Sequence, residues 1–191
     1  GEEGIEKGAL DQMATAMQLP IALKGALMPD AHQGYGLPIG GVLATKNEVI
    51  PYGVGMDIGC RMCMSVYNMK VDQIQANESR LKNLLIENTR FGNAEFQGSK
   101  NHPELEQEVL HEIAFLKTLR KKAHEQLGTS GHGNHFVDIG ILDIKSYIPE
   151  YDLHPGNYFA VLSHSGSRGP GAEIARHYTK IAMDKCDLPK G

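Results

Sequence analysis

The chain has 191 residues, a formal net charge of −4 and 22 glycines. This length suits one domain with a sizeable core or a piece of something larger, and the charge excludes a global basic field, so a nucleic-acid partner would need a local patch. Three cysteines, two of them in "CRMC", argue against a disulfide framework, and no apolar run approaches the roughly 18 residues of a membrane span, so a reducing, cytoplasmic location is expected.

A helix is predicted over residues 6–18, with Leu10, Met13, Ala14 and Met17 on one face. "IALKGALM" reads as a strand that ends in a loop, "PDAHQGYG". "PIGGVLAT" and "EVIPYGV" resemble a hairpin turning at Lys46-Asn47. A short strand, "MCMSVYNM", precedes a helix over 71–87, and "FGNAEFQGSKNHP" reads as a loop. The longest helix is predicted over 103–127, opened by Pro103 and stopped by Gly128. "HFVDIGIL" and "YFAVLSH" are strands, and a last helix starts near Pro170. Short strands, glycine-rich loops and helices without strict alternation predict an α+β fold with mixed or antiparallel sheets and flanking helices.

The glycines cluster at 34–41, 53–59, 128–133 and 166–171, each beside a His, Asp or Cys. Such loops let a ligand approach the backbone closely, and four of them suggest convergence on a site. In "YGVGMDIGCRM", Asp57 and Cys60 either form a turn with a small thiol or bind a divalent metal that keeps the thiol deprotonated. No second CxxC completes a zinc site, and a strand after Cys60 turns Cys63 to the opposite side, which places Cys63 in the core. In "GTSGHGNHFVD", His135 opens a strand, where a ring can face a cavity, with Asn134 beside it. His132, between glycines, reads as solvated. In "LSHSGSRGPG", a strand ends at His164 and a Gly/Ser turn enters a helix. Turn and helix N–H groups together with Arg168 suit an oxyanion or phosphate better than a simple cap. Asp30 and His32 either orient metal ligands or stabilise their loop.

In order along the chain, "MPDAHQGYGLPIGG", "GVGMDIGCRM", "LGTSGHGNHF" and "HSGSRGPG" resemble the RtcB family of RNA-splicing ligases. The resemblance implies an enzyme that uses GTP and manganese to seal a 2′,3′-cyclic phosphate or 3′-phosphate RNA end to a 5′-hydroxyl end, in tRNA splicing or RNA repair. It implies histidine–GMP and RNA–GMP intermediates, and it leaves room for an activating helper protein. Cys60 would bridge two manganese ions, Asp57 and His135 would complete one of them, and His164 would serve the other. Asn134, His135, Phe136 and Asp138 would bind the nucleotide, and Arg168 would join Cys60 in catalysis by holding a phosphate. The family often has Glu at the position of Asp138 and a small residue at that of His132.

Manganese follows from the resemblance, since a Cys/His/Asp site by intrinsic affinity prefers zinc. The resemblance further implies that residues 1–191 are the N-terminal portion of a single RtcB-like catalytic domain, incomplete on its C-terminal side. The GMP-accepting histidine and one more metal-ligand histidine would then lie outside this chain. Two other readings compete: a metal-dependent phosphate-binding or hydrolytic module without ligation, and a structural domain whose glycine loops merely pack.

Overall fold

The computed structural model describes residues 4–96, 98 and 102–186. Among the described residues, helices mix with two antiparallel sheets, the α+β class expected. The chain divides into two units, Gly1–Ile58 with Glu173–Gly191, and Gly59–Ala172.

In the first unit, α1 (Lys7–Ala16) buries Ala9, Met13 and Ala16, one stripe at helical spacing. That stripe packs on the antiparallel pair β1 (Ala22–His32) and β2 (Ile39–Thr45). Gln12 ties helix to turn: its amide N–H donates to the Gly34 carbonyl at 2.7 Å, and its oxygen accepts the Gly34 N–H at 2.9 Å. The stretch from Pro29 to His32, expected as loop, continues β1: its pairing with β2 breaks register after Leu27 and resumes at His32, opposite Ile39. A proline that cannot donate to the ladder is tolerated at such a break. The hairpin partner of β2 is β1 rather than residues 48–54. There Pro51 opens the short helix α2 (Pro51–Val54), where its missing N–H costs nothing.

The second unit is built on β3 (Arg61–Tyr67), β4 (Phe136–Ile144) and β5 (Gly156–Ser165). The order is β3–β5–β4, with both neighbours antiparallel to the central strand. Phe159, Ala160 and Ile144 are buried, and the Phe159 ring meets Tyr67 edge to face at 5.7 Å. The helix expected over 71–87 is two helices, α3 (Asp72–Ala76) and α4 (Glu78–Asn88). Asn77 interrupts them by leaving helical dihedrals and donating its side-chain N–H back to the Gln73 carbonyl.

The helix expected over 103–127 is likewise broken, into a 3₁₀ turn (Pro103–Glu106), α5 (Val109–Glu112) and α6 (Ala114–Gln126). The backbone extends at Gln107 and Ile113, which brings Glu106 back to Arg120 at 3.4 Å and His111 at 3.5 Å. Leu116 and Leu119 are the buried face of α6. Residues 91–96 are irregular, as expected of the loop over 91–103; positions 97 and 99–101 of that loop lie outside the described residues. Cys63 is exposed, not core, because β3 is an outer strand with most of its residues open to solvent. The last helix, α7 (Arg168–Lys185), starts two residues before Pro170.

Candidate metal centre

Topology alone brings three chemically active side chains to one end of the second sheet. Cys60 immediately precedes β3, His135 immediately precedes β4, and His164 is the penultimate residue of β5. Because β5 runs antiparallel to both neighbours, their beginnings lie beside its end. The rung Met62↔His164↔Phe136 fixes the register there. Phe136 meets the His164 ring edge on at 5.6 Å and limits where that imidazole can turn.

The ligand atoms of Cys60, His135 and His164 lie within 4.8 Å of one another. Cys60 Sγ is 3.6 Å from His135 Nε2 and 2.6 Å from His164 Nε2. The thiol is exposed and both rings are half-buried, so the cluster is open to solutes. One divalent ion held by a thiolate and an imidazole separates sulfur from nitrogen by about 3.5 Å. The His135 spacing fits that value, and the His164 ring would have to withdraw by about 1 Å.

The second nitrogen of His135 supplies an independent test of fit. His135 Nδ1 lies 2.8 Å from the Ser130 carbonyl, which can only accept. Nδ1 therefore carries a proton, which in the neutral ring leaves the Nε2 lone pair facing Cys60, the arrangement a metal-ligating histidine requires. The residues present suit a divalent metal.

Sequence reasoning missed the layer behind these ligands. Thr129, Ser130 and Gly131 are buried. The Ser130 N–H donates to the Arg90 carbonyl, and the Gly92 N–H to the Gly131 carbonyl, both at 2.8 Å. The Ser165 hydroxyl lies 3.0 Å from the Ser130 carbonyl and 3.3 Å from that of Thr129. Arg168 Nε donates to Thr129 Oγ1 at 3.1 Å, and Nη2 to the Gly92 carbonyl at 3.3 Å. The signal available in the sequence was the crowding of small and hydroxyl residues around each histidine, "TSG" before one and "SGS" after the other.

Asn134 is exposed between the glycine loop and β4. Phe136 and Asp138 are two residues apart on β4 and share a face of the sheet with His164, Phe136 half-buried and Asp138 exposed. His132 is exposed, as expected. Asp57 belongs to the first unit, in the turn that leads into Cys60. There too His32 Nδ1 meets the backbone carbonyl of Asp30 at 3.0 Å, on the surface. At the start of α7 the Gly169 N–H is taken by the Gln126 side chain at 2.7 Å, so one donor expected to face an anion is used internally.

A family model described as tRNA-splicing ligase RtcB matches residues 12–117 and 112–190. The chain belongs to the RtcB family. It is 31% identical to the tRNA-splicing ligase RtcB of Thermococcus kodakarensis, over 95% of this chain and 45% of that protein. It is 29% identical to the tRNA-splicing ligase RtcB of Nanoarchaeum equitans, over 94% of this chain and 46% of the relative. The RNA-splicing ligase RtcB of Escherichia coli is 26% identical, with 94% and 45% covered. This RtcB chain thus spans about half the length of the curated relatives it matches. Among its described residues no helix is long and apolar enough to cross a membrane.

Proposed function

We propose that this RtcB chain supplies the metal- and nucleotide-binding part of an RNA ligase that joins 2′,3′-cyclic phosphate or 3′-phosphate ends to 5′-hydroxyl ends. The observation that carries this reading is the meeting of Cys60 and His135, each just before a strand, with His164 near the end of the strand between them, at one sheet end. Cys60, His135 and His164 would hold manganese, joined by Asp57. When bound, the metal would neutralise a nucleoside triphosphate and orient its leaving pyrophosphate.

The protein's own side chains have separable tasks. The Asn134 amide donates to nucleotide phosphate. Phe136 offers an apolar ring, and the Asp138 carboxylate accepts from guanine N–H groups on the same strand face. Arg168 anchors the loop before His135 with two of its N–H groups. The rest of its five-donor fork engages phosphate. We assign the nucleotide as GTP and the path as guanylylation of a histidine, followed by activation of the RNA 3′-phosphate with GMP. The same reading makes residues 1–191 the N-terminal portion of one catalytic domain with the family's fold. It also places the enzyme in the cytoplasm, with room for an activating helper protein.

Incubation of the intact protein with labelled GTP and manganese tests this. A covalent, acid-labile protein label that disappears in Cys60→Ala supports the ligase. Metal-loaded protein that takes up no label, yet binds or hydrolyses phosphate compounds, refutes it in favour of a phosphate-binding or hydrolytic module.

A further inference from the structure

Ser165 lies next to a proposed ligand but is itself given no part in holding metal or nucleotide. Its hydroxyl nevertheless reaches across to the loop that carries another ligand, 3.0 Å from the Ser130 carbonyl. That carbonyl already accepts from His135 Nδ1 at 2.8 Å, and a carbonyl oxygen has two lone pairs. The hydroxyl has one proton and two carbonyls in reach, Ser130 at 3.0 Å and Thr129 at 3.3 Å; given to the nearer, it supplies the second partner that fixes the Ser130 carbonyl's direction. The backbone of Ser165 pairs with Arg61, the residue after Cys60. One residue is thereby tied to all three strands: it follows His164 on β5, opposes the start of β3 and steadies the carbonyl that orients His135.

We propose that Ser165 is a positioning residue: its hydroxyl aims the Ser130 carbonyl so that His135 stays in the Nδ1–H tautomer with Nε2 turned toward Cys60. This rests on the reading of the cluster as a metal centre only for its effect on affinity. The tautomer itself is a property of the metal-free protein. The alternative role for the hydroxyl, strand packing, is one that Ser163 can represent. Ser163 lies on the same strand face and bonds the Cys63 carbonyl at 3.3 Å, away from His135. A cavity of about 520 Å³ borders Ser165 and Ser163. Water entering there can solvate the Ser130 carbonyl but cannot hold it in one direction.

The test uses the intact protein and two readouts. In the metal-free protein, nitrogen NMR of His135 should show the Nδ1–H tautomer in the parent and in Ser163→Ala, and a mixture of tautomers in Ser165→Ala. Manganese titration should show Ser165→Ala weakened, by less than the roughly 10- to 100-fold that losing a ligand's direct hydrogen-bond partner costs, because the Ser130 carbonyl itself remains. Ser163→Ala and the hydroxyl-retaining Ser165→Thr should stay close to the parent. Ser165→Cys, isosteric but a weak donor, must shift in the same direction as Ser165→Ala and carries the test should the alanine variant not fold.

A folded Ser165→Ala or Ser165→Cys with the parent's tautomer overturns the proposal, as does an equal loss of affinity in Ser163→Ala. If the parent binds manganese no better than Cys60→Ala, the metal-centre reading fails and the NMR result alone decides the role of Ser165.

Discussion

Gly131 is the position where the architecture behind the ligands can be tested most sharply. Its φ is +99°, and a Cβ built there would overlap both the Arg168 guanidinium and His135 Nδ1. Gly133, two residues on, also has positive φ, +68°, but a Cβ there meets nothing within 4 Å. Alanine at either position incurs a left-handed backbone cost of roughly 1–2 kcal/mol. A stiffer unfolded chain returns about 0.4–1 kcal/mol. Gly133→Ala should therefore lose at most about 1.5 kcal/mol. Gly131→Ala must in addition push the guanidinium off Thr129 Oγ1, a charge-assisted bond worth about 1.5–3 kcal/mol. Its total loss should be about 2–4 kcal/mol. Urea unfolding of both variants measures the difference, and manganese titration should find Gly131→Ala weakened and Gly133→Ala near the parent. Equal stabilities, within about 0.5 kcal/mol, would show that Arg168 and His135 are not braced through this glycine.

The metal should be visible as stability: manganese at about a hundred times its Kd should raise the unfolding free energy by about 2.7 kcal/mol. That rise should vanish in Cys60→Ala and persist in Cys63→Ala, checked by thermal or urea melts with and without chelator. Thr129→Val removes the acceptor of Arg168 Nε at a buried position and should cost about 1–3 kcal/mol in urea unfolding. Glu106→Gln breaks pairs with Arg120 and His111, but the Glu106 side chain is half exposed. The loss should stay below about 1 kcal/mol, with metal affinity unchanged in the same titration.

What could be seen in advance was the set of loops carrying chemistry, because glycine beside His, Cys or Asp leaves a local mark in the sequence. The strand that follows His135 and the strand that carries His164 were legible for the same reason, being apolar runs bounded by such loops. The helix over 103–127 misled because its apolar spacing is regular, while the breaks at Gln107 and Ile113 depend on Glu106 turning back to α6, a contact between segments. Cys63 misled because alternation along a strand separates its two faces but cannot say whether either is covered. The bracing of His135 by Ser130, Ser165 and Arg168 was hidden, since hydroxyls and carbonyls announce no partner until three segments are placed together.

The sheet separates what stabilises it from what it presents. On β5 the buried residues, Phe159 and Ala160, pair with Tyr67, Ile141, Val66 and Gly140, well away from the ligand end. Their burial resists a slip of one residue, which would turn every side chain of a strand to the other face. The same slip would displace Cys60 or His135 along β5 by about 3.4 Å, as much as the whole spacing an ion tolerates between sulfur and nitrogen. The apolar half of the strand therefore sets the distance between ligands that it never touches. At the other end Cys60 and both imidazoles can remain open to solutes without having to supply the packing that keeps them together.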